Sequence, residues 1–295
     1  MRVLTCLFGE HDLALVALAA ILCIIGSFVS VQLFLRTISA GGGSRFHWCF
    51  LASVCAGASI WATHFIAMLG YQTSAPVTLD GVLTVISALM AAGGIGIGLV
   101  LASSTSPRIA SLAGGSTIGL AIGAMHYTGM FAYRVDGIVH WDWRYVMGSL
   151  AIAMGCSIAA IHLLRKNDTP YRTWQAGGLL CLAIVGLHFS GMAGFSVTAM
   201  AGYSQGADSE AFAAMAAAIG MVALLIVGTG ISTYLVERRT TTESENRIAH
   251  IAMHDALTNL ANRHQFTEAL RNECNALGDG GTPFALLMVD LDRFK

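Results

Sequence analysis

Apolar and polar positions alternate in long blocks along the first four-fifths of this chain. Apolar stretches fall at roughly 13–35, 47–70, 80–102, 109–133, 145–164, 174–199 and 211–236, separated by short polar breaks. A helix rises 1.5 Å per residue, so about 20 apolar residues cross the roughly 30 Å hydrocarbon layer of a bilayer. All seven stretches meet that length, and a packed soluble core would not produce seven of them in a row. The pattern predicts an all-α membrane protein of seven transmembrane helices. Beyond residue 236 the pattern changes. Residues 237–247 are polar and contain neither Gly nor Pro, so the last helix is expected to continue out of the bilayer. Ile248, Ile251 and Ala252 then give a short apolar edge suited to pairing with a second copy in a homodimer. Further on, Phe284–Val289 reads as a buried strand ending at Asp290 and Asp292, the start of an α/β domain.

Charge supports this division. Hydrophobic residues make up 55% of the chain and charged residues 11%, against about 25% charged in ordinary soluble domains. Residues 1–236 hold 17 of the 33 charged residues, and the last 59 residues hold the other 16. The expected parts are a membrane domain at 10–236, a helical linker at 237–253 and the beginning of a soluble domain at 254–295. Basic residues set the orientation. The breaks after the first, third, fifth and seventh stretches carry Arg36, Arg45, Arg108, Arg165, Lys166, Arg172, Arg238 and Arg239, against Arg2, Arg134 and Arg144 at the opposite ends. The N-terminus is therefore expected outside and the C-terminal part in the cytoplasm. The first stretch is longer than a signal-peptide core and follows Glu10 and Asp12 rather than basic residues, so it reads as a retained helix. The partner is a lipid bilayer, and no nucleic-acid partner is expected.

Within the membrane part a pattern recurs three times with a period of 62. His64, His126 and His188 are each followed by an aromatic (Phe65, Tyr127, Phe189) and by a small residue three on (Ala67, Gly129, Gly191). Four on is a methionine (Met68, Met130, Met192), six on is small (Gly70, Ala132, Gly194), and seven on is aromatic (Tyr71, Tyr133, Phe195). Such a period marks a repeated two-helix unit. The copies lie on the second, fourth and sixth stretches, near the outer ends. Positions i, i+4 and i+7 share a helix face, so each copy aligns His, Met and an aromatic.

Three imidazoles and three thioethers suit copper. Thioether sulfur favours Cu(I), imidazole binds copper well, and no carboxylate lies within the motifs to favour a harder ion. Asp136, His140, Asp142, Asp208 and Glu210 lie in the outer loops as possible access groups. A single His/Met pair is as consistent with helix packing as with a ligand, and three copies at one depth favour the ligand. The cysteines contain no CxxC pair and fit small buried apolar roles, although one could complete a copper shell. A retinal protein is excluded, because the chain has only Lys166 and Lys295 and neither is in the last stretch. Haem held by two facing histidines, a copper transporter and a purely structural anchor stand as alternatives. The apolar interiors below the motifs argue against transport, and the threefold repeat argues against a bare anchor.

Met125-His126-Tyr127-Thr128 spells the motif of the MHYT family of bacterial membrane sensors, and Thr63-His64-Phe65-Ile66 and Leu187-His188-Phe189-Ser190 are relaxed copies. The resemblance covers roughly residues 10–236. It implies a sensor in the bacterial inner membrane that responds to oxygen, carbon monoxide or nitric oxide through copper held by His64, Met68, His126, Met130, His188 and Met192.

The C-terminal part resembles the opening of a GGDEF domain, the diguanylate cyclase fold. Asp255, Leu257, Thr258, Leu260, Asn262 and Arg263 match one of its elements, and Asp290-Leu291-Asp292-Arg293-Phe294-Lys295 matches another. By resemblance Asp290 and the Leu291 carbonyl would hold Mg²⁺, and Lys295 would touch the phosphates of GTP. Asn259 stands where the family more often has glycine. No GG[DE]EF loop occurs, so the chain is expected to be a fragment, inactive alone as a cyclase. A lone helix and strand cannot bury a core. Whether the whole protein is an active cyclase or continues into a phosphodiesterase domain is open at this level.

Overall fold

A computed structural model describes residues 2–73, 77–103, 106, 109–166, 171–199, 209–255, 257–278 and 282–289. The chain forms two compact units, Met1–Ser232 and Thr233–Lys295. The first begins with a short helix α1 (Arg2–Gly9), followed by α2 (Leu13–Ser39), α3 (Gly42–Leu69) and α4 (Gly81–Ala102). Next come α5 (Gly115–Ala132), entered through one π-helical turn at Ala110–Gly114, α6 (Trp143–Lys166) and α7 (Arg172–Ala193). The last long helix, α8 (Ser209–Met253), runs 45 residues. Four short strands lie between the helices: β1 (Val77–Leu79), β2 (Tyr133–Val135), β3 (Gly137–Trp141) and β4 (Phe195–Ala199).

Seven long helices among the described residues thus coincide with the seven apolar stretches. Six of them are long and apolar enough to cross a membrane by themselves: α2, α3, α4, α6, α7 and the Ala213–Thr233 part of α8. The exception is α5. It has 18 residues and carries Ser116, Thr117, His126 and Thr128. Its position explains its composition. It packs between α4 and α6, and residues such as Ile118, Ile122, Met125 and Met130 are buried in protein. A helix shielded by neighbours does not need an apolar face on every side.

The helices pack in chain order, α2 on α3, α3 on α4, α4 on α5, α5 on α6 and α6 on α7, and α7 closes back on α2. The motif helices α3, α5 and α7 meet inside this ring. Outward residues such as Leu18, Leu89, Ile97, Met147 and Leu182 are exposed, as a lipid-facing surface requires. Close approach in the bundle depends on small residues. A Cβ at Gly119 would lie 2.5 Å from the Cα of Met154 on α6, and one at Gly94 of α4 would lie 2.6 Å from the Cβ of Ala121 on α5.

The repeat extends beyond the motif itself. α2, α4 and α6 each begin after an aspartate that caps the helix. Asp12 Oδ1 accepts from the N–H groups of Ala14 and Leu15, Asp80 Oδ1 from Val82 and Leu83, and Asp142 Oδ1 from Arg144. Each such cap is worth about 1 kcal/mol. The backbone N–H of the same aspartates donates to the carbonyls of Gly70, Ala132 and Gly194, at 2.8, 2.8 and 2.9 Å. These are the small residues six positions after each histidine. The start of the same repeat's first helix crosses there: a Cβ at Gly70 would lie 3.1 Å from Leu15 Cβ, and one at Gly194 would lie 2.8 Å from Tyr145 Cβ.

The same ends are joined by antiparallel pairs. β1 pairs with β2 (Val77 with Val135, Leu79 with Tyr133), β3 pairs with β4 (Gly137 with Ala199, Trp141 with Phe195), and an isolated bridge joins His11 to Tyr71. All three aromatics at the seventh position, Tyr71, Tyr133 and Phe195, are therefore paired to the residue just before a capping aspartate.

In the second unit, α9 (Arg263–Gly278) follows a tight turn. Asp255 Oδ1 accepts from the N–H groups of Leu257 and Thr258 and from the Thr258 hydroxyl, and Asn262 Oδ1 caps α9 through His264 and Gln265. The Asp, Thr and Asn of this motif are thus turn and cap residues. The exposed Asp255 carboxyl lies below its usual range, chiefly because of the Thr258 N–H. Asn259 has φ 56°, a left-handed conformation that costs a β-carbon-bearing residue and favours Gly or Asn. That is the physical reason for either residue at this position. Phe284–Val289 pairs with no strand among the described residues, and Leu287, Met288 and Val289 are exposed. An apolar run becomes a strand only with a partner to complete its ladder. Asp290, Leu291 and Lys295, expected to act at Mg²⁺ and phosphate, lie outside the described residues, as does Asp292.

Candidate metal centre

The fold turns the three repeats into three stacked layers. The first layer is His64, His126 and His188, from α3, α5 and α7, all buried (3%, 1% and 6% exposed). His64 Nδ1 lies 3.2 Å from His188 Nδ1 and 3.2 Å from His126 Nδ1. Their ring centroids are 4.8–5.3 Å apart, each pair edge-on. One helical turn further along, Met68, Met130 and Met192 are buried together with Cys6, Val77, Tyr133 and Phe195. Above them, Tyr71 lies 6.4 Å from Tyr133 and 6.2 Å from Phe195, ring to ring. The aromatic after each histidine packs edge-on against its own histidine at 4.9, 4.9 and 5.0 Å. Tyr127 also exchanges a 2.6 Å hydrogen bond with Ser149 on α6.

The glycine at i+3 in the second and third repeats makes room for the histidine of the repeat before it. A Cβ at Gly129 would lie 2.5 Å from His64 Nε2, and one at Gly191 would lie 2.7 Å from His126 Nε2. The rings of His64 and His126 therefore reach into gaps in the neighbouring motif helices. The Nε2 atoms of His64, His126 and His188 are buried without a hydrogen-bond partner among the described residues.

This geometry has a chemical consequence. A neutral imidazole has one N–H and one lone pair. His64 Nδ1 faces two other Nδ1 atoms, and one nitrogen cannot satisfy both with a single proton or lone pair. A cation at the centre would satisfy all three lone pairs at once. Metal–imidazole bonds of about 2.0–2.1 Å place ligand nitrogens about 3.3–3.6 Å apart in trigonal or tetrahedral geometry, close to the 3.2 Å of the two contacts made by His64 Nδ1, and the three groups lie within 4.8 Å of one another. Among the described residues these three histidines form the one group of His, Cys, Asp or Glu side chains that could share an ion. The donor set fits a soft ion of low charge: three neutral nitrogens, with three thioethers in the next layer.

An apolar cavity of about 200 Å³ adjoins the histidines, bounded by Val16 and Ala19 of α2 and by Ile122, Ile184 and Leu187. A second, smaller cavity nearer the opposite end is lined by Phe34, Ile60, Ile95 and Leu164, with Ser30 and Ser157 as its polar groups.

Sequence reasoning missed His11, which carries no copy of the motif. It is 4% exposed and lies between α1 and α2. Its ring contacts Tyr71 (5.1 Å), Phe189 (5.4 Å) and His188 (6.0 Å). The repeat of capping aspartates could have located it, since His11-Asp12 stands where Leu79-Asp80 and Trp141-Asp142 stand. Burial lowers the pKa of His11 against the opposing pull of its bond to the Cys6 carbonyl, which favours the neutral ring. Cys6 is pushed up to about 12 by burial and by Glu10, so it remains a thiol beside the methionines. Of the outer-loop groups, Asp142 is a helix cap, His140 is exposed on β3, and the side chains of Asp208 and Glu210 lie outside the described residues. Cys23, Cys49 and Cys55 are buried within the helices, and Cys181 donates to the Cys23 carbonyl at 3.6 Å.

Comparison with known proteins agrees with this architecture. Residues 57–115 and 119–177 match the MHYT profile, described as a bacterial signalling protein N-terminal repeat, and residues 252–295 match the diguanylate cyclase GGDEF domain. The third motif, at His188, lies beyond the matched repeats. The chain is 33% identical over 85% of its length to an uncharacterized signaling protein of Caulobacter vibrioides, of which it covers 31%. It is 30% identical over 98% of its length to the bifunctional diguanylate cyclase/cyclic di-GMP phosphodiesterase MucR of Pseudomonas aeruginosa, covering 44% of that protein. It is also 30% identical over 96% of its length to the cyclic di-GMP phosphodiesterase NbdA of the same organism, covering 39%. The chain thus spans less than half of the length of these relatives. No solved structure matches it.

Proposed function

We propose, from the premise that this is a membrane protein of MHYT repeats leading into a GGDEF domain, that it senses a signal through copper held by His64, His126 and His188 and passes it to cyclic di-GMP turnover. The observation that carries this reading is the meeting of three Nδ1 atoms from three repeats in a buried layer without carboxylates. Met68, Met130 and Met192 stand one turn away as soft donors for the reduced ion. Copper supplies a redox-active centre with affinity for small diatomic molecules. The chain's part is to hold three lone pairs inward, to exclude water and to leave an apolar space beside them. The 200 Å³ cavity has that character, and an apolar cavity stays dry and admits small neutral molecules such as oxygen, carbon monoxide or nitric oxide.

Haem is disfavoured by the same geometry. A porphyrin plane must lie between two axial histidines, and rings with nitrogens 3.2 Å apart leave no slot for it. Transport is disfavoured because the cavities nearer the opposite end are lined without histidine or methionine, with Cys49 their one soft donor among the described residues.

In this reading the N-terminus and the metal layer face the periplasm, the protein sits in the cytoplasmic membrane, and α8 carries the signal to GGDEF domains in the cytoplasm. Two such domains in a homodimer would condense two GTP molecules with Mg²⁺ bound at Asp290 and the Leu291 carbonyl and with Lys295 on phosphate. The relatives' names include both cyclase and phosphodiesterase activities, so the direction of turnover belongs to the whole protein. The test is metal analysis of the purified chain beside its triple variant His64→Ala, His126→Ala, His188→Ala. Copper in the wild type and its loss in the variant are expected. Equal copper in both would remove the histidines as ligands, and a Soret band would restore haem.

A further inference from the structure

His11 has two nitrogens in different states. Nδ1 lies 2.8 Å from the Cys6 carbonyl. A carbonyl only accepts, so Nδ1 carries the proton and Nε2 holds the lone pair in the neutral ring. That Nε2 is buried and has no partner among the described residues, in a side chain only 4% exposed. An unpaired buried acceptor is costly and calls for a donor or a cation.

Beside it, 6.0 Å away ring to ring and edge-on, is His188, whose Nε2 is equally buried and unpartnered. If Nδ1 of His188 turns its lone pair toward the other two histidines, its Nε2 must carry a proton. Metal-bound imidazoles nearly always donate that second N–H to an acceptor, which fixes ring orientation and raises ligand basicity. A donor without an acceptor and an acceptor without a donor are therefore carried by neighbouring rings.

We propose that His11 is a positioning residue for His188, its Nε2 accepting the Nε2 proton of His188 through one bridging water. The 6.0 Å between ring centroids, wider than the 4.8–5.3 Å among the site histidines, is too long for a direct bond and suits a single bridging water. The backbone holds His11 there. Asp12 N–H donates to the Gly70 carbonyl, Gln72 N–H donates to the Glu10 carbonyl, and His11 is bridged to Tyr71. The equivalent places in the other two repeats hold Leu79 and Trp141, which offer no lone pair. His11 thus makes one subsite of a threefold arrangement chemically different from the other two.

The proposal rests on the reading of the three histidines as a copper site. The experiment compares the full chain with His11→Leu and His11→Gln, purified in detergent and loaded with copper. His11→Leu installs the side chain that the fold already holds at Leu79. His11→Gln restores an acceptor oxygen near the lost Nε2. Readouts are copper stoichiometry, Cu(I) affinity by chelator competition, and the Cu(II) electron paramagnetic resonance spectrum. Expected are unchanged stoichiometry, about 10–100-fold weaker binding with an altered spectrum for His11→Leu, and substantial recovery for His11→Gln. Wild-type affinity and spectrum in His11→Leu would overturn the proposal. Loss of one coordinated nitrogen in that variant would also overturn it, by making His11 a ligand. A wild-type chain without copper would instead bring down the underlying reading, and this proposal with it.

Discussion

Gly129→Ala should separate the site from the fold. The added Cβ would lie 2.5 Å from His64 Nε2 and 2.8 Å from its Cδ2, so the nearer contact is 0.9 Å short of the 3.4 Å at which ordinary contact begins. The next neighbour, Phe65 Cζ, is at 3.4 Å and needs no adjustment. The obstruction is therefore the far end of one side chain, which can swing away. For the fold this is mild overpacking, at the low end of the roughly 1–3 kcal/mol usual for such insertions. For the site it is severe, because metal–ligand distances tolerate about 0.2 Å and His64 Nδ1 is the nitrogen common to both 3.2 Å contacts. Copper affinity should fall at least about 10-fold, the lower end of what a displaced supporting contact costs. Chelator competition and thermal unfolding, measured on one detergent-purified sample, are the assays. Gly155→Ala on α6, where a Cβ would meet nothing within 4 Å, is the control. The first repeat has Ala67 at the corresponding position, so the claim concerns the two glycine subsites. Wild-type affinity in Gly129→Ala would refute the reasoning, and parallel loss of copper and thermal stability would make Gly129 a packing residue alone.

Three further outcomes are expected. Gly119→Ala, whose Cβ would strike the backbone of Met154 at 2.5 Å, should destabilise the bundle by about 1–3 kcal/mol, read as an earlier unfolding transition than that of Gly155→Ala. Reporter fusions after Asp136 and after Arg239 should report the periplasm and the cytoplasm respectively, and a periplasmic signal after Arg239 would mean an even number of crossings. Met130→Leu conserves volume and apolarity, so stability should change by less than about 1.5 kcal/mol, while a sulfur donor is lost. Full-length protein with this change should insert normally and make or degrade cyclic di-GMP without response to copper or a diatomic gas. An unchanged response would leave Met130 as packing.

The chain on its own specified the helices, the repeat and the residues of the histidine layer, because these depend on local properties. Hydropathy over some 20 residues decides whether a helix can cross a bilayer, and a period of 62 places His, Met and aromatic side chains on one face of α3, α5 and α7. Even there composition alone was incomplete. The stretch 109–133 is legible as a span, but the π-helical turn at Ala110–Gly114 leaves α5 only 18 residues with four polar side chains, which its place between α4 and α6 accommodates. What the tertiary structure decided are the relations between repeats. Closure of α7 onto α2 brings His64 Nδ1 to 3.2 Å from the Nδ1 atoms of both His126 and His188, and the rings of His64 and His126 fit the gaps at Gly129 and Gly191. The pairing of Leu79 with Tyr133 and of Trp141 with Phe195 joins segments more than fifty residues apart, for which three- and five-residue strands leave little trace in sequence. Phe284–Val289 shows the converse, an apolar strand-like run without a partner strand among the described residues, because pairing is a property of two segments. His11 is the extreme case. It belongs to no motif copy, and its chemistry arises from a carbonyl five residues back and a histidine 177 residues away, contacts that exist only once the ring of helices has closed.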